Sequence, residues 1–392
     1  MIKFAYIFFV GSIIFLAYTY AGYPLFVYLY GKFFPKTIKR KEFVPLVTIL
    51  ITAYNEEGSI AEKIENTLEL DYPKEKLEIL VASDGSDDNT DEIVRGFASR
   101  GVKLFHQTGR KGKTHTQNNA VELATGEIII FSDATTTYSK DVVQKLIPAF
   151  ADDAVGCVAG RLIYRADGDS SVGKGAATYW EYETLIKQAE SNACSLIGVS
   201  GCMYAVRKGA YIRLYDEACS DFIICTELYR NGFRSVFEPS AVCYEITNNH
   251  SKNEFQMRVR VIVQTFTDLF NNADMLNPLK SGFYSVELIS HKLFRYMVPF
   301  ALILFCFANL ILIGTSEFFL VTILLQVVFY FMALVGWVLE RAGIHISLLS
   351  LPFYFVIGAL ASILGFFKFL TGARYASWEP IRESSSKTES EV

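Results

Sequence analysis

Long apolar runs lie at both ends of the chain, and shorter strand-like and helix-like patterns alternate between them. The first run extends from Ala5 to Tyr30 without a charge, and three more follow at roughly Tyr296 to Gly314, Phe318 to Leu339 and Ile344 to Leu370. Because a helix needs about 20 apolar residues to cross the hydrocarbon core of a bilayer, these runs predict membrane-spanning helices. Buried core helices of a soluble protein are the alternative. The first run is too long and too aromatic for a signal peptide.

Basic residues beside the first run predict its orientation. Lys3 precedes it, whereas five basic residues follow between positions 32 and 41. The positive-inside rule therefore predicts a multi-pass protein of the cell membrane with a cytoplasmic middle. Three further crossings would leave the C-terminus outside, yet Lys368, Arg374 and Arg382 follow the last run. The alternative that one apolar run is re-entrant or interfacial stays open.

The middle of the chain, about Pro45 to Glu245, alternates strand and helix patterns. Strand-like runs are "LVTILITAY", "LEILVASDG", "VKLFHQ" and "EIIIFSDA". Helical patterns separate them, at "EEGSIAEKIENTLEL", at "TDEIVRGFASR" and from Lys113 to Ala124. Strands spaced by helices predict an α/β domain with a mainly parallel sheet and helices on both faces.

Polar clusters follow three of these strands. The first ends in "YNE", the second in "DGS" and the fourth in Asp133. In such sheets ligands bind beyond the carboxyl ends of the strands, so the clusters predict one shared site. A carboxylate there can hold a hard divalent cation that also binds substrate phosphates. A helix cap or turn is the alternative for Asp133 by itself.

Composition narrows the class of function. The seven cysteines form no CxxC pair, which argues against a disulfide framework or a zinc site. The formal net charge of −4 gives no sign of a nucleic-acid partner.

Five motifs carry a family resemblance. "ITAYNEE", "VASDGSDDNT", "GKTHTQNNA", "FSDATTTY" and "GCMYAVRKGAY" occur in the order found in family 2 glycosyltransferases. With its flanking apolar runs, the chain resembles the membrane-bound synthases of cellulose, hyaluronan, chitin and poly-N-acetylglucosamine. The resemblance implies a GT-A fold, here inserted between transmembrane helices, and an inverting enzyme of the hexosyl or N-acetylhexosaminyl transferase class.

The resemblance also implies roles for residues that bind the donor, a UDP-sugar. Tyr54 and Glu56 match the pair that contacts uridine, and Asp84 matches a carboxylate near the base and ribose. Lys113 and Asn118 match a "GK…N" motif in which the lysine reaches the diphosphate.

A metal site is implied at the fourth strand. Asp133 matches the first aspartate of the DxD motif, which binds Mg²⁺ or Mn²⁺ in the family. The second aspartate is replaced by Thr135. Metal binding would therefore depend on Asp133 and on diphosphate oxygens.

An inverting transfer needs a base that deprotonates the acceptor hydroxyl. The resemblance assigns this role to Asp221 in "ACSDFIICTELYRNGF". Glu227 is a rival that lies within the helical pattern, and an ordinary helix N-cap is the alternative for Asp221.

Cations would stabilise the leaving diphosphate, and "EFQMRVRVIV" supplies Arg258 and Arg260. The QxxRW motif of the family is incomplete here. With Arg260 in the arginine place, Met257 replaces the glutamine and Val261 replaces the tryptophan. A basic interfacial helix in contact with lipid headgroups is the alternative.

The acceptor site is implied at "IGVSGCMYAVRK", with Ser200, Gly201 and Cys202 in the small-residue loop; a packed strand end is the alternative. The preceding "ATYWEYETLIKQAES" is an amphipathic aromatic pattern that suits a membrane interface, a sugar-lined channel mouth or simple core packing.

The resulting hypothesis is an enzyme that adds a sugar from a UDP-sugar to the non-reducing end of a growing extracellular polysaccharide and couples this to export. Whether a partner subunit completes the export path is open. A single-sugar transferase acting on a polyprenyl phosphate or glycolipid, and a non-catalytic membrane scaffold, are the alternatives. The predicted segments are 1–42 (anchor and basic juxtamembrane segment), 43–250 (cytoplasmic GT-A domain), 251–293 (amphipathic interfacial helices), 294–372 (C-terminal transmembrane helices) and 373–392 (polar tail).

Overall fold

A computed structural model of the chain describes residues 1–165, 171–246 and 250–375. Most of the predicted polar tail, from residue 376 onward, lies outside these ranges. Within them, an α/β unit follows one long apolar helix and precedes three more.

Eight strands form the central sheet, in the spatial order β3-β2-β1-β4-β7-β6-β8-β5. Their bounds are β1 Val47–Ala53, β2 Leu77–Ser83, β3 Val102–His106, β4 Ile128–Asp133, β5 Thr137–Tyr138, β6 Val155–Arg165, β7 Tyr204–Arg207 and β8 Arg234–Ile246. The pairs β1–β2, β2–β3, β1–β4 and β6–β8 are parallel, whereas β7 and β5 pair antiparallel with their neighbours. The predicted fold class, with its mainly parallel sheet, is confirmed.

Eleven helices accompany the sheet in the described part of the chain, besides short single turns. The four long apolar helices are α1 Ile2–Phe33, α9 Phe283–Leu312, α10 Glu317–Arg341 and α11 Ser347–Leu370. The others are α2 Ile60–Leu68, α3 Thr90–Gly96, α4 Lys113–Leu123, α5 Val142–Leu146, α6 Ser171–Ala193, α7 Ser220–Arg230 and α8 Ser251–Asn271. By length and composition the four apolar helices could each cross a membrane, as their sequence predicts.

The sheet is buried on both faces, because helices cover each side. Every residue of β1 is buried. Since successive side chains of a strand point to opposite faces, Ile49 and Ile51 join one hydrophobic cluster while Leu50 joins another with Ile129 and Phe131. This explains why the central strands read as unbroken apolar runs.

The register of the parallel strands brings the polar clusters to one edge. Ala53 pairs with Ser83, and Thr52 pairs with Asp133. The residues that follow β1 and β2 therefore emerge beside the end of β4. This edge is the place where α/β sheets bind ligands.

Two helices connect this edge to the apolar helices. The α8 helix packs closely against α11 at Gly365. An added Cβ at this glycine would lie only 2.7 Å from Cγ2 of Ile262 on α8. The long α6 helix packs against α1, where the side chain of Tyr23 donates a hydrogen bond to Glu190. The apolar helices are thus attached to the α/β unit through α6 and α8.

Candidate active site

Three charged side chains from distant parts of the sequence meet around Gly201. An added Cβ at Gly201 would lie 2.9 Å from Nζ of Lys113, 3.1 Å from Oδ2 of Asp221 and 3.2 Å from Oδ2 of Asp133. The lysine begins α4, Asp133 ends β4 and Asp221 lies in the first turn of α7. The absence of a side chain at Gly201 keeps the space between them open.

Lys113 and Asp133 form an ion pair at this point. Burial by itself lowers the pKa of the Lys113 ammonium, but the carboxylates of Asp133 and Asp221 outweigh it and hold that pKa above its usual range. Lys113 is therefore a fixed positive charge beside two carboxylates. Such a charge can balance an anionic ligand at the sheet edge.

Asp221 is held by contacts on both sides. Its backbone carbonyl accepts a hydrogen bond from the Val199 amide (2.8 Å), and its Oδ1 accepts one from Sγ of Cys219 (3.0 Å). The positive end of the α7 dipole also favours a carboxylate in the first turn. The first contact ties the start of α7 to the loop that contains Gly201, and the second holds the carboxylate in place.

A second carboxylate, which was not predicted from the sequence, stabilises the start of α7. Asp268 of α8 is fully buried, and its Oδ2 accepts a hydrogen bond from the Cys219 backbone amide (3.1 Å). Burial raises the pKa of the Asp268 carboxyl to about 8. The only sequence signal was an acidic residue on the apolar side of an amphipathic helix.

Glu227, the rival of Asp221, faces elsewhere. It forms an ion pair with Arg230, which also contacts Asp274. Six residues of α-helix separate the two carboxylates by about 9 Å along the axis. The structure therefore brings Asp221, and not Glu227, to the Gly201 cluster.

Asp84 lies behind the cluster, at the end of β2. It is fully buried, and its carboxylate accepts hydrogen bonds from the amides of Lys111 (2.8 Å) and Gly112 (2.9 Å) and from Oγ1 of Thr116 (2.8 Å). These contacts fix the loop that presents Lys113. A direct contact of Asp84 with a base or ribose stays a prediction.

The other residues predicted to bind the donor lie at different points of the same edge. The guanidinium of Arg110 stacks 4.0 Å from the ring centroid of Tyr54, and Glu56 accepts a hydrogen bond from Oγ of Ser59 (2.6 Å). Asn118 is buried, and its amide bonds with Tyr211 and with the backbone of Leu214. The structure does not bring the Asn118 amide to Lys113.

The two predicted arginines diverge. Nε of Arg258 donates to Glu254 (2.7 Å), and its guanidinium stacks 4.2 Å from the ring of Tyr354 on α11. Arg260 is partly buried. Burial lowers the pKa of Arg260, while the nearby Cys219, Asp221 and Asp133 oppose that shift. The structure thus places Arg260 within electrostatic reach of the cluster and Arg258 against a candidate membrane helix.

This divergence predicts unequal effects of substitution. Arg260→Gln should lower the turnover number for sugar transfer about 10–100-fold, the range expected for a lost hydrogen bond to a charged group. Arg258→Gln should instead lower the melting temperature in detergent and keep most of the turnover. Steady-state kinetics and thermal melts of both variants check this. Equal loss of turnover in two equally stable variants would contradict it.

The loop around Gly201 contacts a third carboxylate that was not predicted. Sγ of Cys202 donates to Oε2 of Glu245 (3.1 Å) at the end of β8. Burial raises the pKa of the Glu245 carboxyl to about 7, and the carboxylate of Asp133 adds to the shift. Ser200 is buried beside this loop, and its carbonyl accepts a hydrogen bond from the Met203 amide.

The described residues contain no group of three or more metal-binding side chains. Asp133 offers one carboxylate at the strand end, and Thr135 stands where a second would be. A single carboxylate fits Mg²⁺ or Mn²⁺ when substrate phosphates supply further oxygens. Asp133 is thus the residue that would hold such an ion.

Comparison with known proteins identifies the family of the domain that contains this site. Residues 48–214 match the model of "Glycosyl transferase family 2". The chain contains a family 2 glycosyltransferase domain. The match includes Lys113, Asp133 and Gly201 but ends before Asp221, so α7 lies beyond it.

Curated relatives of this glycosyltransferase are named poly-beta-1,6-N-acetyl-D-glucosamine synthase. One from Staphylococcus aureus (strain MSSA476) is 28% identical over 223 residues, which cover 55% of this chain and 53% of the relative. One from Staphylococcus epidermidis is 26% identical over 262 residues, which cover 61% and 62%. The chain thus spans about half the length of the curated relatives it matches.

A solved structure with the same fold is the mannosyltransferase PcManGT from Pyrobaculum calidifontis, in complex with GDP-Man and Mn²⁺. The TM-score is 0.70 at 22% identity, and the match covers 93% of this chain and 99% of that one. The likeness confirms the GT-A fold of the glycosyltransferase.

Proposed function

We propose that this glycosyltransferase moves a sugar from a UDP-sugar to a growing polysaccharide at the cell membrane, with inversion at the anomeric carbon. The observation that carries the proposal is the meeting of Lys113, Asp133 and Asp221 around Gly201. It combines a cation for a diphosphate, a carboxylate for a metal ion and a carboxylate for a base. The glycan-synthase names of the relatives support a glycan acceptor.

In this proposal Asp221 is the general base. Its carboxylate accepts the proton of the acceptor hydroxyl as the oxygen attacks C1 of the donor sugar. The bond between C1 and the diphosphate breaks on the opposite face, so the configuration inverts. A positioned base of this kind contributes about 10²–10⁴-fold to rate.

Lys113 and Arg260 would stabilise the departing nucleoside diphosphate, which gathers negative charge as the bond breaks. Tyr54 and Glu56 would contact uridine, and Asp84 would hold the loop that carries Lys113. A divalent cation held by Asp133 would neutralise part of the diphosphate charge when bound. The Mn²⁺ of the related mannosyltransferase complex supports such an ion here.

The orientation proposal rests on charge. Five basic residues between positions 32 and 41 lie at the end of α1 and just beyond it, so we place the glycosyltransferase domain in the cytoplasm and the start of α1 outside. The predicted segments 43–250 and 251–293 would then lie at the inner membrane surface. Export of the product, alone or with a partner subunit, would use the helices of segment 294–372.

A second acceptor is favoured by one observation. Val261 stands where the resemblance to polysaccharide synthases implies a tryptophan that stacks on the acceptor sugar, so position 261 offers no aromatic ring for stacking. A lipid-linked acceptor, which receives one sugar from the same donor site, does not need it.

The test uses the full chain in detergent with a panel of UDP-sugars and GDP-mannose. Products are sized after incubation with Mg²⁺, with Mn²⁺ or with a chelator. We expect metal-dependent transfer from a UDP-sugar, and a long product would support polysaccharide synthesis over single-sugar transfer. Absence of transfer from every donor, in protein that still folds, would overturn the proposal.

A further inference from the structure

Three cationic side chains lie where α6 meets the candidate membrane helix α9, and one of them contacts the residue that follows Asp221. Lys187 of α6 is only 7% exposed. The ammonium of Lys292 lies 5.3 Å from the ring centroid of Phe222, the residue after Asp221. Arg295 follows Lys292 by about one helical turn. None of these residues has a role in the transfer described above.

The carboxylates near Arg295 do not neutralise the positive charge of these three side chains. Nη1 of Arg295 donates to Glu183 (2.7 Å) and to the Tyr179 hydroxyl (3.1 Å). Its Nε and Nη2 are buried without a hydrogen-bond partner among the described residues. Glu183 is also shared with Nε2 of His291 (3.0 Å), whose Nδ1 faces Glu190 (2.6 Å). One carboxylate therefore serves Arg295 and His291 together.

Lys187 has no hydrogen bond or ion pair within the described residues, and its ammonium lies 4.9 Å from the ring of Trp180. Burial lowers the pKa of Lys187. The carboxylates of Glu183 and Asp221 oppose this shift, and the like charge of Lys292 adds to it. A buried charge without a direct ion pair destabilises a fold. An anion supplied by a ligand would remove that cost.

We propose that Lys187, Lys292 and Arg295 bind a phosphate group of the acceptor. Lysine and arginine are the side chains that bind phosphate through charge-assisted hydrogen bonds. In the proposed transfer, Lys113 and Arg260 already stabilise the donor diphosphate. An uncharged glycan has no anionic group that would bind Lys187, Lys292 and Arg295. The acceptor is therefore a sugar linked to a long-chain lipid phosphate, and a hydroxyl of that sugar gives its proton to Asp221.

This inference rests on the proposed transfer at Asp221 and names the class of its acceptor. Of the two acceptors in the proposed function, it favours the lipid-linked acceptor over the growing polysaccharide. A phospholipid headgroup offers the same phosphate chemistry, so the experiment must separate the two sources.

The probe is decaprenyl phosphate, titrated against the full chain in nanodiscs of neutral lipid and followed by native mass spectrometry. Lys187→Gln and Lys292→Gln should each weaken its binding about 10–100-fold, the range for one lost charge-assisted hydrogen bond. Lys280→Gln is the matched control, because Lys280 is exposed just before α9. It should bind like the parent, and decaprenol without phosphate should bind all four proteins weakly.

UDP binding is measured on the same samples and should be unchanged in the variants. Equal binding of decaprenyl phosphate by the parent and by both folded variants would overturn the inference. Phosphatidylglycerol that competes for the site as strongly as decaprenyl phosphate would also overturn the inference, because the site would then bind phospholipid headgroups. The parent and Lys187→Gln could transfer sugar to a phosphate-free oligosaccharide at equal rates. That result would overturn the acceptor class proposed here, while the proposed function would still stand.

Discussion

Asp221→Asn is expected to lower the rate of sugar transfer about 10²–10⁴-fold, the contribution of a positioned general base. Asparagine has the shape of aspartate and keeps a side-chain oxygen for the start of α7, so the contacts around Val199 and Cys219 can persist. It cannot take up the acceptor proton at neutral pH. The measurement is the initial rate of transfer in detergent, together with UDP affinity and a thermal melt.

The variant should bind UDP like the parent, because Lys113, Asp84 and Asp133 are unchanged. Loss of a helix cap alone would cost only about 1 kcal/mol and would appear as a lower melting temperature. Glu227→Gln is the matched control, since that carboxylate is paired with Arg230 at the other end of α7. If Glu227→Gln loses transfer and Asp221→Asn keeps it, the base is Glu227.

The sheet edge was predictable because parallel strands share a direction. The pattern of β1, β2 and β4 was enough to expect that "YNE", "DGS" and Asp133 emerge together, and the pairing of Thr52 with Asp133 bears this out. Sequence could not tell which way each side chain turns. Asp84 turns inward to the backbone of Lys111 and Gly112, since these buried amides need an acceptor.

The divergence of the two arginines was accessible to a physical argument. Two residues along an α-helix turn the side-chain direction by about 200°. Arg258 and Arg260 therefore could not both face one small site. What the spacing could not decide was which of them faces Asp221, because that depends on how α8 packs against α11.

Glu245 escaped prediction for a different reason. It lies more than 100 residues from Asp133 in sequence, and it reaches the cluster through the pairing of β8 with β6 and β5. That ladder shifts register between Gly160 and Arg161. A bulge changes which residues of a strand lie opposite each other, so alternation counted along β8 does not locate its last carboxylate.

Gly201→Ala should reduce sugar transfer about 10²-fold, because misplacement of reacting groups by about 1 Å can cost this much. The new methyl group would lie 2.9 Å from Nζ of Lys113 and 3.1 Å from Oδ2 of Asp221. Either one of these side chains moves away from the methyl group, or both stay and the methyl group fills the space between them. The backbone of Gly201 is outside the left-handed region, so alanine fits its conformation and the fold should persist.

Gly209→Ala is the control, since an added Cβ there meets nothing within 4 Å. Both variants should melt close to the parent temperature, and only Gly201→Ala should lose turnover. A rise in KM for the acceptor with little change in UDP affinity would indicate that the methyl occupies acceptor space. A parent-like rate in Gly201→Ala would mean that neither the attacking hydroxyl nor the donor sugar passes between Lys113, Asp133 and Asp221. The catalytic centre would then have to lie elsewhere along the sheet edge.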